Sequence, residues 1–179
     1  MKGYASRFYA DTPQPYFQER SLPVPRSRVP HWELCRPDIR PALDPGDMVF
    51  FYAPGYVRGK RCPAACYGVL VVSKRVIEHE AARVLGREWL SWHRGQRCRH
   101  HSSRGENDGA TRRDNIILGS LERSIWSKEG AVDLGGFQRG RLQREKKIGL
   151  RRNLFLSTGD CHSIYRVLEN ARQPLSRER

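Results

Sequence analysis

The chain has 179 residues, of which 38% are hydrophobic and 29% are charged. This size suits a single domain, which we expect at residues 1–170 with a frayed polar tail at 171–179, and it excludes two large independent cores. Lysine and arginine total 33 against 19 acidic residues, and the net charge of +14 attracts phosphate anions, although a GC-rich genome would also raise the arginine count.

No apolar run reaches the roughly 20 residues that span a bilayer, and residues 1–10 lack the apolar stretch of a signal peptide. The five cysteines do not have the regular spacing of a secreted disulfide framework. We therefore expect a cytoplasmic protein with reduced thiols and no membrane partner.

The segment 12–45 is rich in proline, which excludes a long helix there. We predict an extended loop whose backbone is stiffened by these prolines. It carries Trp32, Arg36 and Arg40, and stiff loops are common places for ligand-binding side chains. These three residues are therefore candidates for binding a base or nucleotide.

Two strands are predicted next. Residues 44–47, Asp-Pro-Gly-Asp, have the composition of a turn, and the apolar run 48–52 after them is typical of a buried strand. The run 67–72 predicts a second strand, paired with the first as a hairpin with a long loop. Phe51 and Tyr52 are candidate base-binding residues because stacking contributes about 1 to 3 kcal/mol per base; alternatively they are core side chains.

An amphipathic helix is predicted after Ser73, because apolar residues recur at three- and four-residue steps. The apolar stripe should pack on the sheet, and the helix should end near Gly95. The stripe consists of Ile77, Ala81, Val84, Leu85, Trp89 and Trp92. Further strands are predicted at 115–118 and 153–157, and one or two helical turns at 164–170.

Two basic segments, 96–113 and 139–152, interrupt the predicted sheet and are expected to form long loops. Arginine suits phosphate binding because its planar guanidinium offers a fork of donors. The candidate phosphate-binding residues are Arg97, Arg99, Arg104, Arg112, Arg113, Arg151 and Arg152.

Residues 35–40, Cys-Arg-Pro-Asp-Ile-Arg, are followed after a short spacer by residues 46–50, Gly-Asp-Met-Val-Phe. Together they resemble the C-K-P-x-I-R and G-D-W-I signature of the nucleotide modification-associated domain family, second type. Tyr4 and residues 10–12, 15–17 and 114–116 also look like landmarks of that family, in patches over residues 1–120. The resemblance implies a role with nucleotides and adds Asn115 to the base-binding candidates.

Residues 45–52 and 67–72 are also similar to the G-D-x-x-x-F-Y and G-x-x-x-V core of EVE and other PUA-like domains, small β-barrels that bind modified bases. The implied fold is α+β, a mostly antiparallel PUA-like β-barrel with one amphipathic helix and long basic loops. A barrel mouth lined by aromatic rings can take a flipped base while basic loops hold the flanking phosphates. Arg36 stands where lysine is expected and Met48 where tryptophan is usual, and the basic insert after Trp92 has no counterpart.

Other chemistry is less well supported by the residue spacing. Cys62, Cys66, Cys98 and His100 could offer four zinc ligands, but they lack paired C-x-x-C spacing, so no metal site is predicted. Asp38, Asp114 and His162 are the candidates for acid-base catalysis, and none lies in a recognised catalytic spacing. No Walker loop or G-x-G-x-x-G run is present, and no cofactor is predicted.

Three hypotheses follow. The first is a module that binds DNA, RNA or a nucleotide and recognises a modified or unusual base through an aromatic pocket, with arginines on phosphates. The second is an enzyme of nucleobase modification or nucleotide processing. The third is a general RNA-binding subunit of a ribonucleoprotein, phage or defence assembly, in which base identity has no effect.

Overall fold

The computed structural model describes residues 1–7, 29–32, 40–87, 89–91, 115–126, 130–135 and 154–171. Over these ranges the protein is a mixed α+β protein whose strand pairs are mostly antiparallel, as the sequence predicts. The strands are β1 (Gly3–Arg7), β2 (His31–Trp32), β3 (Met48–Val57), β4 (Lys60–Val76), β5 (Ile116–Gly119), β6 (Ile125–Trp126), β7 (Val132–Asp133) and β8 (Leu154–Leu156). They are accompanied by the helices α1 (Glu78–Leu85) and α2 (Thr158–Asn170) and by a short 3-10 helix at Arg40–Ala42.

The chain forms two compact units that alternate along the sequence. Unit 1 comprises Met1–Asp11, Met48–Val69 and Ile125–Arg179, and unit 2 comprises Thr12–Asp47 and Leu70–Ser124. The expectation of one domain over residues 1–170 stays a prediction. Among the described strands no pairing closes a ring, so the PUA-like barrel also stays a prediction. Every helix in the described ranges is too short or too polar to cross a lipid bilayer.

Unit 1 is organised around β1. This strand runs parallel to β3, with Gly3 opposite Met48, and antiparallel to β8, with Gly3 opposite Leu156. The short strands β6 and β7 pair antiparallel with β4. α2 packs against β6 and β7 and buries Cys161, Ile164 and Leu168.

The strand predicted at 48–52 is confirmed, and it is longer than predicted. The first six residues of β3 are all buried, so the residues of this part of the strand do not alternate between an exposed face and a buried face. An unbroken apolar run, Met-Val-Phe-Phe-Tyr-Ala, is what a strand covered on both faces requires.

A tight turn joins β3 to β4. Arg58 and Gly59 have φ values of 50° and 74°, which is the left-handed geometry of two-residue hairpin loops. The expected long hairpin loop is therefore wrong, because the residues between the two predicted runs continue the strands. Pro54 and Pro63 suggested a loop, but both are exposed strand residues, and proline is tolerated at strand edges and bulges.

The turn predicted at residues 44–47 is confirmed in unit 2. The N–H of Asp47 donates to the carbonyl of Asp44 at 3.0 Å, and the buried Asp47 carboxylate accepts the N–H of Asp44, also at 3.0 Å. Two main-chain hydrogen bonds of 2.8 Å, from Gly46 to Val72 and from Val72 to Asp47, attach the turn to β4. β5 then pairs antiparallel with both β4 and β2.

The predicted packing of the amphipathic helix on the sheet is confirmed, because α1 contacts β5. Ala81, Leu85 and Trp89 are buried in one core cluster with strand residues. Ile77 and Val84 are 37% and 51% exposed, so the apolar stripe is narrower than predicted. α1 ends at Leu85, where Gly86 takes a φ of 96°, and residues 87 and 89–91 are helical again. The predicted helix end near Gly95 lies outside the described residues.

α2 confirms the helical turns expected at 164–170, and it is longer than expected because it begins at Thr158. Its extra first turn is stabilised by a capping box, in which the Ser157 hydroxyl accepts the N–H of Asp160 at 3.1 Å. The Asp160 carboxylate in turn accepts the N–H of Ser157. The serine and aspartate three residues apart are a helix-start signal that could have been recognised from the sequence.

We expect Ser157→Ala to destabilise the protein by about 1 kcal/mol, because an N–H of the first turn loses its acceptor. Ser157→Asp should retain most of the stability. The measurement is thermal unfolding followed by circular dichroism. Ser163→Ala is the matched control, since its hydroxyl only donates back to the carbonyl of Gly159, a bond that does not stabilise helices. Equal melting temperatures for the two alanine variants would contradict the capping role.

Candidate nucleic-acid interface

The candidate base-binding residues lie in both units. Trp32 and Arg40 are each 2% exposed in unit 2, where Asn115 is partly exposed. Phe51 and Tyr52 are each 3% exposed in unit 1. Arg36 lies outside the described residues. Within unit 2 the structure brings Trp32, Arg40 and Asn115 to the start of β5, as the next paragraphs describe.

Arg40 connects two segments that are far apart in sequence. Its Nη1 donates a hydrogen bond of 2.5 Å to the main-chain carbonyl of Asn115, 75 residues later. Burying a guanidinium costs on the order of several kcal/mol unless it is hydrogen-bonded. This contact therefore fixes both segments. The bond uses the main-chain carbonyl of Asn115 and does not involve the side-chain amide of that residue.

Trp32 belongs to the same neighbourhood through strand pairing. It lies opposite Ile117, two residues along β5 from Asn115. Its neighbour His31 is 1% exposed, and the Nδ1–H of that ring donates to the carbonyl of Val29 at 3.0 Å. The His31 ring meets Trp89 edge-on, with centroids 6.2 Å apart. This part of unit 2 is therefore a tightly packed support for the chain at 115.

Phe51 and Tyr52 are core side chains in this structure. A strand that alternates would expose one of two neighbouring residues, but both faces of β3 are covered here. The alternative that these rings belong to the core is therefore what their burial favours. Whether they also bind a base stays a prediction.

The remaining predicted sites lie mostly outside the described residues. This holds for the phosphate-binding candidates Arg97, Arg99, Arg104, Arg112, Arg113, Arg151 and Arg152, for the acid-base candidates Asp38 and Asp114, and for the long basic loops. His162 is described and is exposed on α2.

The cysteines give no support for a zinc site. Cys62 and Cys66 are buried on β4, while Cys98 and His100 lie outside the described ranges. Those ranges hold no group of three or more histidine, cysteine or acidic side chains placed to share a metal ion. Burial raises the pKa of the Cys66 thiol to about 12, and its Sγ donates weakly to the carbonyl of Gly68. Cys66 is therefore a protonated core residue.

A mixed polar and aromatic cluster in unit 1 was not predicted. Tyr67 stacks on Trp126 with centroids 5.9 Å apart, and both rings are partly exposed. The Trp126 ring lies so close to Gly68 that an added Cβ would meet it at 2.5 Å. Burial raises the pKa values of both Cys62 and Tyr67, and the Asp133 carboxylate adds to the effect on Cys62. β6 is a two-residue strand, too short to be found from periodicity.

A second unpredicted feature is the end of the β3–β4 hairpin, residues 56–61, which we name the hairpin tip. Tyr56 is 63% exposed, and Arg58, Lys60 and Arg61 are exposed beside it. Its sequence signal is that no acidic residue occurs between Asp47 and Glu78. The hairpin tip thus offers three cations and a ring to solvent.

No protein-family profile, curated protein or solved structure matches this chain. Its function must therefore be inferred from its own residues.

Proposed function

We propose that this protein is a nucleic-acid-binding module that recognises a modified or unusual base. The observation that supports this most directly is the hydrogen bond from Arg40 to the carbonyl of Asn115. It joins the end of the Cys-Arg-Pro-Asp-Ile-Arg segment to the Asp-Asn-Ile segment, the two patches that resemble the nucleotide modification-associated family. A site shared by two such segments would explain why a cation is buried there.

Asn115 is the residue that would contact the base. An asparagine amide has one acceptor and two donor hydrogens, so it can pair with the edge of a base in two places, and such a pair contributes about 1 to 3 kcal/mol of discrimination. Arg40 would act as a positioning residue, because its guanidinium holds the backbone of Asn115. The net charge of +14 supplies the affinity for phosphates that base recognition requires.

A PUA-like barrel is part of the same proposal. It is supported by the turn at 44–47, by the aromatic strand that follows it, and by the mostly antiparallel pairing around β4. An experimental structure with a closed ring of strands would establish the barrel. An open sheet there would contradict it without affecting Asn115.

The test is Asn115→Ala, measured by binding to matched oligonucleotides with and without a panel of modified bases. Because Arg40 bonds to the main chain, this variant keeps the structural contact, and we expect an unchanged melting temperature. Discrimination between the preferred and the ordinary base should fall by about 5- to 150-fold. Asn170→Ala, an exposed asparagine on α2, is the matched control and should bind like the wild type.

Two results would contradict the proposal. Wild-type protein that binds every oligonucleotide equally, with affinity erased by salt, would indicate a general binder. Asn115→Ala that discriminates as well as the wild type would show that another residue contacts the base.

A further inference from the structure

We propose that the hairpin tip binds the sugar-phosphate backbone of single-stranded nucleic acid, with Arg58, Lys60 and Arg61 on phosphates and the Tyr56 ring stacked on a base. This inference rests on the proposed function only in requiring a nucleic-acid ligand. It concerns unit 1, whereas Arg40 and Asn115 lie in unit 2. Four observations support it, and each is independent of the family resemblance.

The first observation is the charge of the hairpin tip. Its three cations fall within four consecutive residues, which span at most about 14 Å of chain. Neither strand of the hairpin contains an acidic residue that could neutralise them. Such a concentrated positive charge attracts a polyanion and contributes a salt-dependent part of the binding free energy.

The second observation is the ring. Tyr56 is 63% exposed, although the same strand buries six consecutive residues at its other end. A lone patch of cations would suit any acidic partner, including an acidic protein surface. An aromatic ring beside cations suits single-stranded nucleic acid better, because every base has a flat face on which the ring can stack.

The third observation is that the hairpin tip is anchored where it joins the rest of β3. Val57 forms a parallel bridge with Gly130. A Cβ added to Gly130 would lie 2.7 Å from the carbonyl oxygen of Tyr56 and 2.7 Å from the Cβ of Ala65. The chain at 130 therefore packs directly against both strands, and the tip is held in place before any ligand binds.

The fourth observation is the backbone of Arg58. Its φ of 50° is a conformation that costs a residue with a side chain roughly 1 to 2 kcal/mol and that asparagine and glycine tolerate better. A sequence selected only for a stable turn would place one of those residues there. The hairpin tip instead has an arginine, and therefore a positive charge, at position 58.

The experiment measures binding of a labelled oligodeoxythymidine of about 12 nucleotides by fluorescence anisotropy over a salt series. The triple variant Arg58→Gln, Lys60→Gln, Arg61→Gln should reduce the slope of log K against log salt by about 2, since each phosphate contact on a single strand contributes about 0.7. The control triple variant Arg83→Gln, Arg87→Gln, Arg166→Gln removes the same charge from exposed positions elsewhere. It should change the slope by less than half as much.

Two single variants separate binding from folding. Tyr56→Leu should weaken binding by about 5- to 150-fold while Tyr56→Phe retains it, because stacking needs only the ring. Arg58→Asn should raise the melting temperature, since Asn-Gly is the favoured pair for this turn, and should still weaken binding. A purely structural role for Arg58 would not produce these opposite effects.

The outcomes separate the two proposals. If the wild type binds no oligonucleotide at low salt, both the proposed function and this inference are wrong. If it binds and the two triple variants behave alike, only the role of the hairpin tip is wrong. Tighter binding to the matching duplex, unaffected by Tyr56→Leu, would overturn the single-strand assignment. The expected result is that the hairpin-tip variants lose affinity without losing base discrimination.

Discussion

Gly3→Ala should lower the free energy of unfolding by about 3 kcal/mol, which is the upper range for overpacking a core. Gly3 lies on β1 opposite Leu156 of β8, and a Cβ added to it would overlap the Sγ of Cys161 on α2. Cys161 is fully buried, and because protein interiors are close-packed its sulfur can move only by displacing neighbouring atoms. The strand and the helix approach one another this closely because residue 3 has no side chain.

A double-mutant cycle tests this cause directly. Cys161→Ala removes the sulfur, so the pair Gly3→Ala, Cys161→Ala should be more stable than the sum of the single changes by about 1 to 2 kcal/mol. The measurement is urea unfolding of the four proteins. Gly159→Ala is the matched control in the same unit, because the Cβ added there would meet the Ser157 Oγ only at 4.0 Å. Additive changes in the cycle would show that another contact is responsible.

Alkaline pH should selectively destabilise the wild type through Cys66. The pKa of this thiol is about 12 in the folded protein against 9.0 for an ordinary cysteine, chiefly because burial disfavours the thiolate. Since the folded pKa is raised, the unfolded chain loses its proton first. The stability contributed by Cys66 is fully present below about pH 9 and is lost as pH rises toward about 12. The loss of unfolding free energy is about 2 to 3 kcal/mol at about pH 11.

The control for this prediction is Cys66→Ser, which can still donate to the carbonyl of Gly68 but does not ionise. All other side chains are the same in both proteins, so the difference between the two unfolding free energies isolates the thiol. We expect the wild type to lose about 2 to 3 kcal/mol more than the variant between about pH 8 and about pH 11. Parallel losses would mean that the folded protein lets the thiolate form.

Local sequence signals predicted the parts of the fold that depend on neighbouring residues. The Asp-Pro-Gly-Asp turn and the strand after it are confirmed, as is the contact of the amphipathic helix with the sheet. Each of these elements carries its own signal, either a turn composition, an apolar run or a helical period.

Elements that depend on distant partners were predicted less well. The hairpin turn was missed because Arg58-Gly59 is not a common turn pair and because Pro54 and Pro63 suggested a loop. The burial of both Phe51 and Tyr52 depends on what covers each face of β3, which the strand's own sequence does not specify. Ile77 and Val84 have the period of the apolar stripe, but neither belongs to the core cluster in which Ala81, Leu85 and Trp89 are buried.

The candidate site shows the same division. The proline-rich segment points to Arg40 and the family resemblance to Asn115, and their hydrogen bond across 75 residues has no local signal. The stacked pair Tyr67 and Trp126 joins β4 to a two-residue strand that periodicity cannot detect. Charge, by contrast, can be counted directly, and the sequence itself shows that neither strand of the hairpin contains an acidic residue.

The order of the strands also bears on how the protein is made. β1 is synthesised before β3 and β8, yet it pairs with β3 at Met48 and with β8 at Leu156. At the usual rate of roughly 5 to 20 residues per second, β8 follows β1 by roughly 8 to 30 s. During that interval one edge of β1 has no strand to pair with, and unpaired edges promote aggregation. Nascent chains of this protein should therefore depend on chaperones until β8 is synthesised.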